Sequence, residues 1–131
     1  MPFKGRLEGV VTTTPLNPPF VSVLAEGTGN ATHLGRLTWV ATLVADNATG
    51  EAAGSYQFTA ANGDMLFTDF TGRGVPTETP GVLSIVDDVT ITGGTGRFAG
   101  ATGSFTCVRL YNTVTGTTAG SFTGTISAPG P

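Results

Sequence analysis

Much of the chain alternates apolar and polar side chains with a period of two, the pattern of β-strands with one buried face. Residues 3–11 alternate most cleanly, with apolar side chains at odd positions and charged ones at 4, 6 and 8. Eight such segments predict eight strands: residues 3–11, 20–28, 34–45, 54–60, 64–72, 82–92, 103–112 and 119–127. No segment shows a convincing helical pattern.

Turn-forming residues separate these segments at the spacing typical of a barrel or a sandwich. Prolines 15, 18 and 19 end the first strand, because proline cannot donate to a sheet ladder. Asn62-Gly63 predicts a two-residue hairpin turn. Residues 74–80, with two prolines, are predicted to form a loop.

The first and last strands favour the barrel over the sandwich. Each alternates large and small residues on one face, as in Phe3-x-Gly5-x-Leu7-x-Gly9-x-Val11 and Gly120-x-Phe122-x-Gly124-x-Ile126. Side by side, large residues would face small ones and fill a small closed interior. We therefore predict an all-β protein, an eight-stranded antiparallel β-barrel that forms a single domain over residues 1–131, with a frayed tail at 128–131.

A glycine-rich segment, residues 92–103, lies between the sixth and seventh predicted strands. It contains five glycines, and Phe98 is its only large side chain. Residues 94–99 approximate a dinucleotide-binding fingerprint, but a β-type run follows where that motif requires a helix. We predict instead that Phe98 plugs one end of the barrel and that any pocket opens at the other end.

The third predicted strand, residues 34–45, is apolar on both faces. Its β-branched residues favour strand over helix. Val40 and Val44 would lie on its outer face, and such a face usually packs under another layer or subunit. We expect a homo-oligomer, a dimer or a trimer.

Composition narrows the function classes. Charged residues make up 11% of the chain, with a net charge of −3 and no basic cluster, so nucleic-acid binding is not expected. No apolar run has membrane-spanning length, and no membrane partner is expected. One cysteine and one histidine predict neither a disulfide nor a metal site, and no cofactor is expected.

The Thr/Gly/Ala-rich, lysine-poor composition is typical of exported bacterial proteins. We expect a mature domain that is secreted, periplasmic or on the cell surface, with no signal peptide in this chain.

Two motifs resemble a known family. They are Gly93-Gly94-Thr95-Gly96-x-Phe98-x-Gly100-Ala101-x-Gly103 and Gly27-Thr28-Gly29-Asn30-Ala31-Thr32-His33-Leu34-Gly35-Arg36. The first resembles the signature of the allene oxide cyclase and dirigent barrel superfamily, and both are similar to segments of its small exported bacterial members. The resemblance implies a barrel that is a dimer or trimer. It also implies a cofactor-free cyclase or isomerase acting on an unsaturated lipid-like or polyketide-like substrate.

The candidate catalytic residues are Asp87, Arg109 and Tyr111, which alternation places on inward faces. If the strands fold back symmetrically about Phe98, Asp87 lies opposite Arg109 and Val89 opposite Cys107. A carboxylate inside a barrel must be paired or neutralised, and in a pocket it can act as a general acid or base with Tyr111 as a donor. The alternative is that Asp87 and Asp88 flank a bulge or a strand end and both point to solvent.

Five residues are candidates for binding a small molecule inside the barrel: Trp39, Tyr56, Phe58, Cys107 and His33. The alternative for Trp39, Tyr56 and Phe58 is that they are core residues rather than a ligand platform. His33 precedes a strand, where it suits a pocket rim, although such a histidine often satisfies loop carbonyls. Three functions remain open: a small-molecule binder, a cyclase or isomerase, and a non-catalytic structural or surface-associated module.

Overall fold

The protein is a closed barrel of eight antiparallel strands in a computed structural model that describes residues 1–128. Each strand pairs with the next along the chain, and β8 closes the barrel on β1. The strands are β1 (Pro2–Pro15), β2 (Phe20–Ala31), β3 (Gly35–Asp46), β4 (Glu51–Ala60), β5 (Met65–Pro76), β6 (Val82–Gly94), β7 (Thr102–Asn112) and β8 (Thr117–Ser127). The predicted fold class is confirmed. The frayed tail predicted at 128–131 lies, beyond Ala128, outside the described residues.

Seven of the eight strands are longer than the alternation indicated; β3 keeps its predicted length. The loop predicted at 74–80 is wrong in its first half, because Gly74 to Pro76 continue β5 and pair with Ile85 to Leu83. The hairpin around Asn62-Gly63 closes with three residues rather than two: the amide of Ala60 donates to the carbonyl of Asp64, and Gly63 takes a φ of +94°. A three-residue hairpin loop needs a left-handed residue, and glycine adopts it without strain.

The interior is filled as the large and small residues of β1 and β8 predicted. Phe3 pairs with Gly124, and Gly5 pairs with Phe122. A Cβ atom on Gly5 would lie 2.8 Å from the ring of Phe122. Phe3 and Phe122 also pack against Phe105, with ring centroids 5.4 and 4.8 Å away. This half of the barrel is a packed aromatic core.

Phe98 closes one end of the barrel. We define the closed end by the loops 32–34, 61–64 and 95–101, and the open end by the loops 16–19, 47–50, 77–81 and 113–116. A single 3₁₀ turn, Gly96–Phe98, directs the Phe98 ring into the core, where it is 3% exposed. The predicted plug is therefore confirmed.

The outer face of β3 carries two exposed apolar residues, as predicted, beside the exposed Thr38 and Thr42. Val40 and Val44 are 40% and 46% exposed. Residues 1–128 include no helix with the length and apolar character needed to span a membrane.

Candidate functional site

A cavity of about 250 Å³ lies inside the barrel at the open end. Its walls are mostly apolar and include Val11, Val23, Leu43, Leu83 and Ile85. Phe98 and its loop lie at the other end. The prediction that a pocket opens opposite Phe98 is therefore confirmed. The barrel is filled at one end and hollow at the other.

Asp87 and Arg109 form the floor of this cavity. They are 1% and 4% exposed, and Arg109 Nη2 lies 3.2 Å from Asp87 Oδ2. The same carboxylate oxygen accepts a 2.6 Å hydrogen bond from the Tyr56 hydroxyl. Arg109 Nη1 donates to Thr118 Oγ1 at 3.2 Å, and this hydroxyl donates to the carbonyl of Leu110. The charges are thus paired and hydrogen-bonded, as burial requires.

One donor of this cluster is left over. Arg109 Nε is buried, and no residue of the described chain accepts a hydrogen bond from it. A buried N–H without an acceptor costs free energy, so the guanidinium keeps donor capacity that the described chain does not use.

Burial fixes the protonation states around the carboxylate. It raises the pKa of Tyr56 well above the ordinary value, so the phenol stays protonated and donates to Asp87. Burial also raises the pKa of Cys107 to about 11. It acts to lower the pKa of Arg109, but the electrostatic attraction of Tyr56, Asp87 and Cys107 and the hydrogen bond to Asp87 outweigh burial and raise this pKa. The guanidinium therefore stays charged.

The predicted register of β6 and β7 is wrong by two residues. Asp87 pairs with Cys107 and Arg109 pairs with Ile85, because the hairpin folds back about Arg97 rather than Phe98. Side chains alternate with a period of two, so this shift leaves both Asp87 and Arg109 facing inward. The long arginine side chain then reaches the carboxylate diagonally.

The alternative for the two aspartates is also wrong. Asp87 is buried and Asp88 is exposed, as expected for successive residues of a regular strand. The register irregularity of the β5–β6 ladder lies elsewhere, at Thr92 of β6, which is skipped between the pairs Phe67–Gly93 and Thr68–Ile91.

The other predicted site residues fall in three places. Tyr111 lies on the cavity wall, but the phenol that bonds Asp87 belongs to Tyr56. Trp39, Tyr56 and Phe58 are at most 1% exposed and are absent from the cavity lining, which matches the alternative that they are core residues. Cys107 is also fully buried and absent from the lining.

His33 lies at the closed end, away from the cavity. Its φ is +69°, and its Nε2 atom lies 2.9 Å from the carbonyl oxygen of Pro2. The structure thus matches the alternative in which this histidine satisfies a loop carbonyl.

Two residues of the site were missed by sequence reasoning. Thr118 holds the Arg109 guanidinium, and Gly72 makes room for Asp87, because a Cβ atom there would collide with Asp87 Oδ1. The period-two alternation could have placed both on the inner face, since Thr118 lies on the same face of β8 as Phe122, and Gly72 on the same face of β5 as Phe70. Nothing in their residue types indicated contact with the ion pair.

These features define a class: a closed eight-stranded antiparallel β-barrel with a mostly apolar interior cavity that ends on a buried ion pair. Searches of protein-family models, curated proteins and solved structures find no match to this chain. Within residues 1–128, no three His, Cys, Asp or Glu side chains are grouped to hold a metal ion.

Proposed function

We propose that the barrel binds an apolar or amphipathic small molecule in the cavity at its open end. The observation that carries this proposal is the combination of mostly apolar walls with a charged, hydrogen-bonded floor. Binding sites for small molecules are typically concave and largely apolar, with a few polar groups that orient the ligand. A groove on the outer wall beside Val10 and Leu110 is larger, at about 780 Å³, but it is more open to solvent.

The resemblance to the allene oxide cyclase and dirigent superfamily supports the same proposal. Members of that superfamily share the barrel architecture, and the two glycine motifs of this chain resemble theirs. On this proposal the protein is an exported member that forms a dimer or trimer.

Two substitutions on neighbouring residues test the cavity. Val23 lines the cavity, whereas Leu24 points outward and is 40% exposed. We expect 1-octanol to bind the wild-type chain saturably in a titration followed by NMR. Val23→Phe fills the cavity and should abolish binding, while Leu24→Phe adds the same ring outside and should leave binding unchanged. Binding that is absent in the wild-type chain, or equal in the two variants, would contradict the proposal.

A second candidate function is a cofactor-free cyclase or isomerase, and the observation that favours it is the buried carboxylate of Asp87 at the cavity floor. A carboxylate in such a site can take a proton from a bound substrate and return it elsewhere. Turnover of an unsaturated lipid-like or polyketide-like substrate should then be lost in Asp87→Asn while binding persists. Binding without turnover in the wild-type chain supports the simple binder, and neither binding nor turnover supports a structural module.

A further inference from the structure

We infer that the cavity takes an uncharged molecule whose carbonyl oxygen accepts a hydrogen bond from the Arg109 guanidinium. This inference rests on the proposed function, namely that the cavity binds a small molecule. Beyond that function, it specifies that the ligand is uncharged and that a carbonyl group anchors it. Two observations carry it: the balance of charges around the cavity and the unused hydrogen-bond donors of the Arg109 guanidinium at its floor.

The charges that line the cavity cancel. Two acidic and two basic side chains of the described chain line it: Asp46 and Arg73 towards the mouth, and Asp87 and Arg109 at the floor. The inner pair is already matched at 3.2 Å. A carboxylate that reached the floor would be an uncompensated negative charge beside Asp87, and an ammonium group would meet the same problem beside Arg109. Burial of an unpaired ion is costly, so both classes of ligand are disfavoured.

The hydrogen bonds at the floor leave a donor free. The Tyr56 hydroxyl donates to Asp87, and the Thr118 hydroxyl donates to the carbonyl of Leu110. The Arg109 guanidinium has five N–H groups and donates only two hydrogen bonds within residues 1–128, one from each Nη atom. A ligand with an oxygen acceptor can meet the donor capacity of this guanidinium, whereas a plain hydrocarbon leaves it unmet. A carbonyl oxygen is the simplest neutral group that only accepts.

The size of the cavity limits the ligand further. A volume of about 250 Å³ lies below the roughly 300–1,000 Å³ of sites for drug-sized molecules. The apolar walls suit a short hydrocarbon chain, with the carbonyl group innermost. Medium-chain ketones are therefore suitable probes.

Calorimetric titration of the full chain at neutral pH with three eight-carbon probes tests the inference. The probes are 2-octanone, octanoate and octylamine, which are neutral, anionic and cationic. We expect 2-octanone to bind at least about tenfold more tightly than either ion, because an ion must be desolvated without a partner. Equal or tighter binding of octanoate or octylamine overturns the inference while leaving the proposed function intact. If no probe binds, or if Val23→Phe binds them as well as the wild-type chain does, the proposed function itself fails.

Asp87→Asn tests the role of charge balance directly. The substitution keeps the shape of the side chain but leaves the positive charge of Arg109 unpaired. We expect the preference for 2-octanone over octanoate to fall by about tenfold or more in this variant. The shift should persist in an Arg73→Gln background, which removes the other positive charge of the lining. An unchanged preference overturns the inference. The wild-type titrations decide the matter alone if Asp87→Asn does not fold.

Discussion

At the scale of single residues, Phe98 accounts for the closed end of the barrel. Its ring is buried, and it is the only large apolar side chain in residues 95–101, where Arg97 is also long but is charged and half exposed. Phe98→Ala should lower the free energy of unfolding by about 3 kcal/mol or more, because it removes buried surface and leaves a void. Urea denaturation measures this loss. Val114→Ala, at an 81% exposed position at the open end, is the control and should change little. An unchanged stability in Phe98→Ala would contradict the plug.

Gly96 makes the turn before Phe98 possible. It takes a φ of +57°, and a Cβ atom there would collide with the carboxylate of Asp64. Gly35 has a similar φ of +67° but no neighbouring atom within 4 Å of such a Cβ. Alanine at either position should cost about 1–2 kcal/mol for the left-handed conformation. Gly96→Ala should cost more than Gly35→Ala, because it also displaces Asp64. Equal losses in thermal unfolding would show that the contact with Asp64 is unimportant.

The buried hydroxyl and thiol groups make stability sensitive to alkali. Burial raises the pKa of Cys107 from 9.0 to about 11, so the folded chain holds this proton more tightly than the unfolded chain does. The contribution of protonated Cys107 to the free energy of unfolding is complete below pH 9. It is lost as the pH rises towards 11, at about 1.4 kcal/mol per pH unit for one proton. Tyr56 acts in the same direction at higher pH, since burial also raises its pKa. Denaturation measured across this range should show the decline, and Cys107→Ala should flatten its first part.

At the scale of elements, one ion pair ties the β4–β5 turn to the β6–β7 loop. Arg97 Nε lies 2.9 Å from Asp64 Oδ2, and the amide of Arg97 donates to the same oxygen. These hydrogen bonds from Arg97 hold the pKa of Asp64 below its ordinary value. Their contribution to folding stability is therefore complete when the pH is above the ordinary pKa of an aspartate. It is lost as the pH falls through the lowered pKa of Asp64.

Asp64→Asn should loosen the loop that carries Phe98. Asparagine can still accept a hydrogen bond, but the charge-assisted part of the contact is lost. We expect faster hydrogen exchange for the amides of residues 95–101. Asp69→Asn removes the same charge from an exposed position on β5 and serves as the control. The prediction fails if the two variants exchange alike.

At the scale of the whole molecule, the outer wall of β3 carries the prediction of self-association. Val40 and Val44 are exposed on a wall that alternation alone would make polar. We expect a dimer or trimer in sedimentation at high micromolar concentration, because association would remove this apolar surface from water. A Val40→Lys/Val44→Lys double variant should then sediment as a monomer. Val108→Lys places one charge on an exposed position of β7 and should not change the mass. A monomeric wild-type chain would contradict the prediction.

The sequence by itself determined the architecture and the face on which each residue lies. The alternation within each segment is local, and it marked the eight strands and placed Asp87 and Arg109 inside. The large and small residues of β1 and β8 predicted closure, because Phe3 fits only opposite a small residue such as Gly124. Phe98 was identifiable as a plug because it is the only large apolar residue of its glycine-rich segment.

Only the tertiary structure decided which inward residues meet. Alternation shows on which face of the sheet a residue lies but not which residue it pairs with. The register of β6 and β7 depends on where the 3₁₀ turn at Gly96–Phe98 folds the chain back. Tyr56 and Thr118 join the ion pair from strands on either side of that hairpin, through contacts that local sequence does not encode. The cavity likewise exists because large side chains fill one end of the barrel and smaller apolar ones line the other, a balance of volumes that appears only once the strands are closed into a barrel.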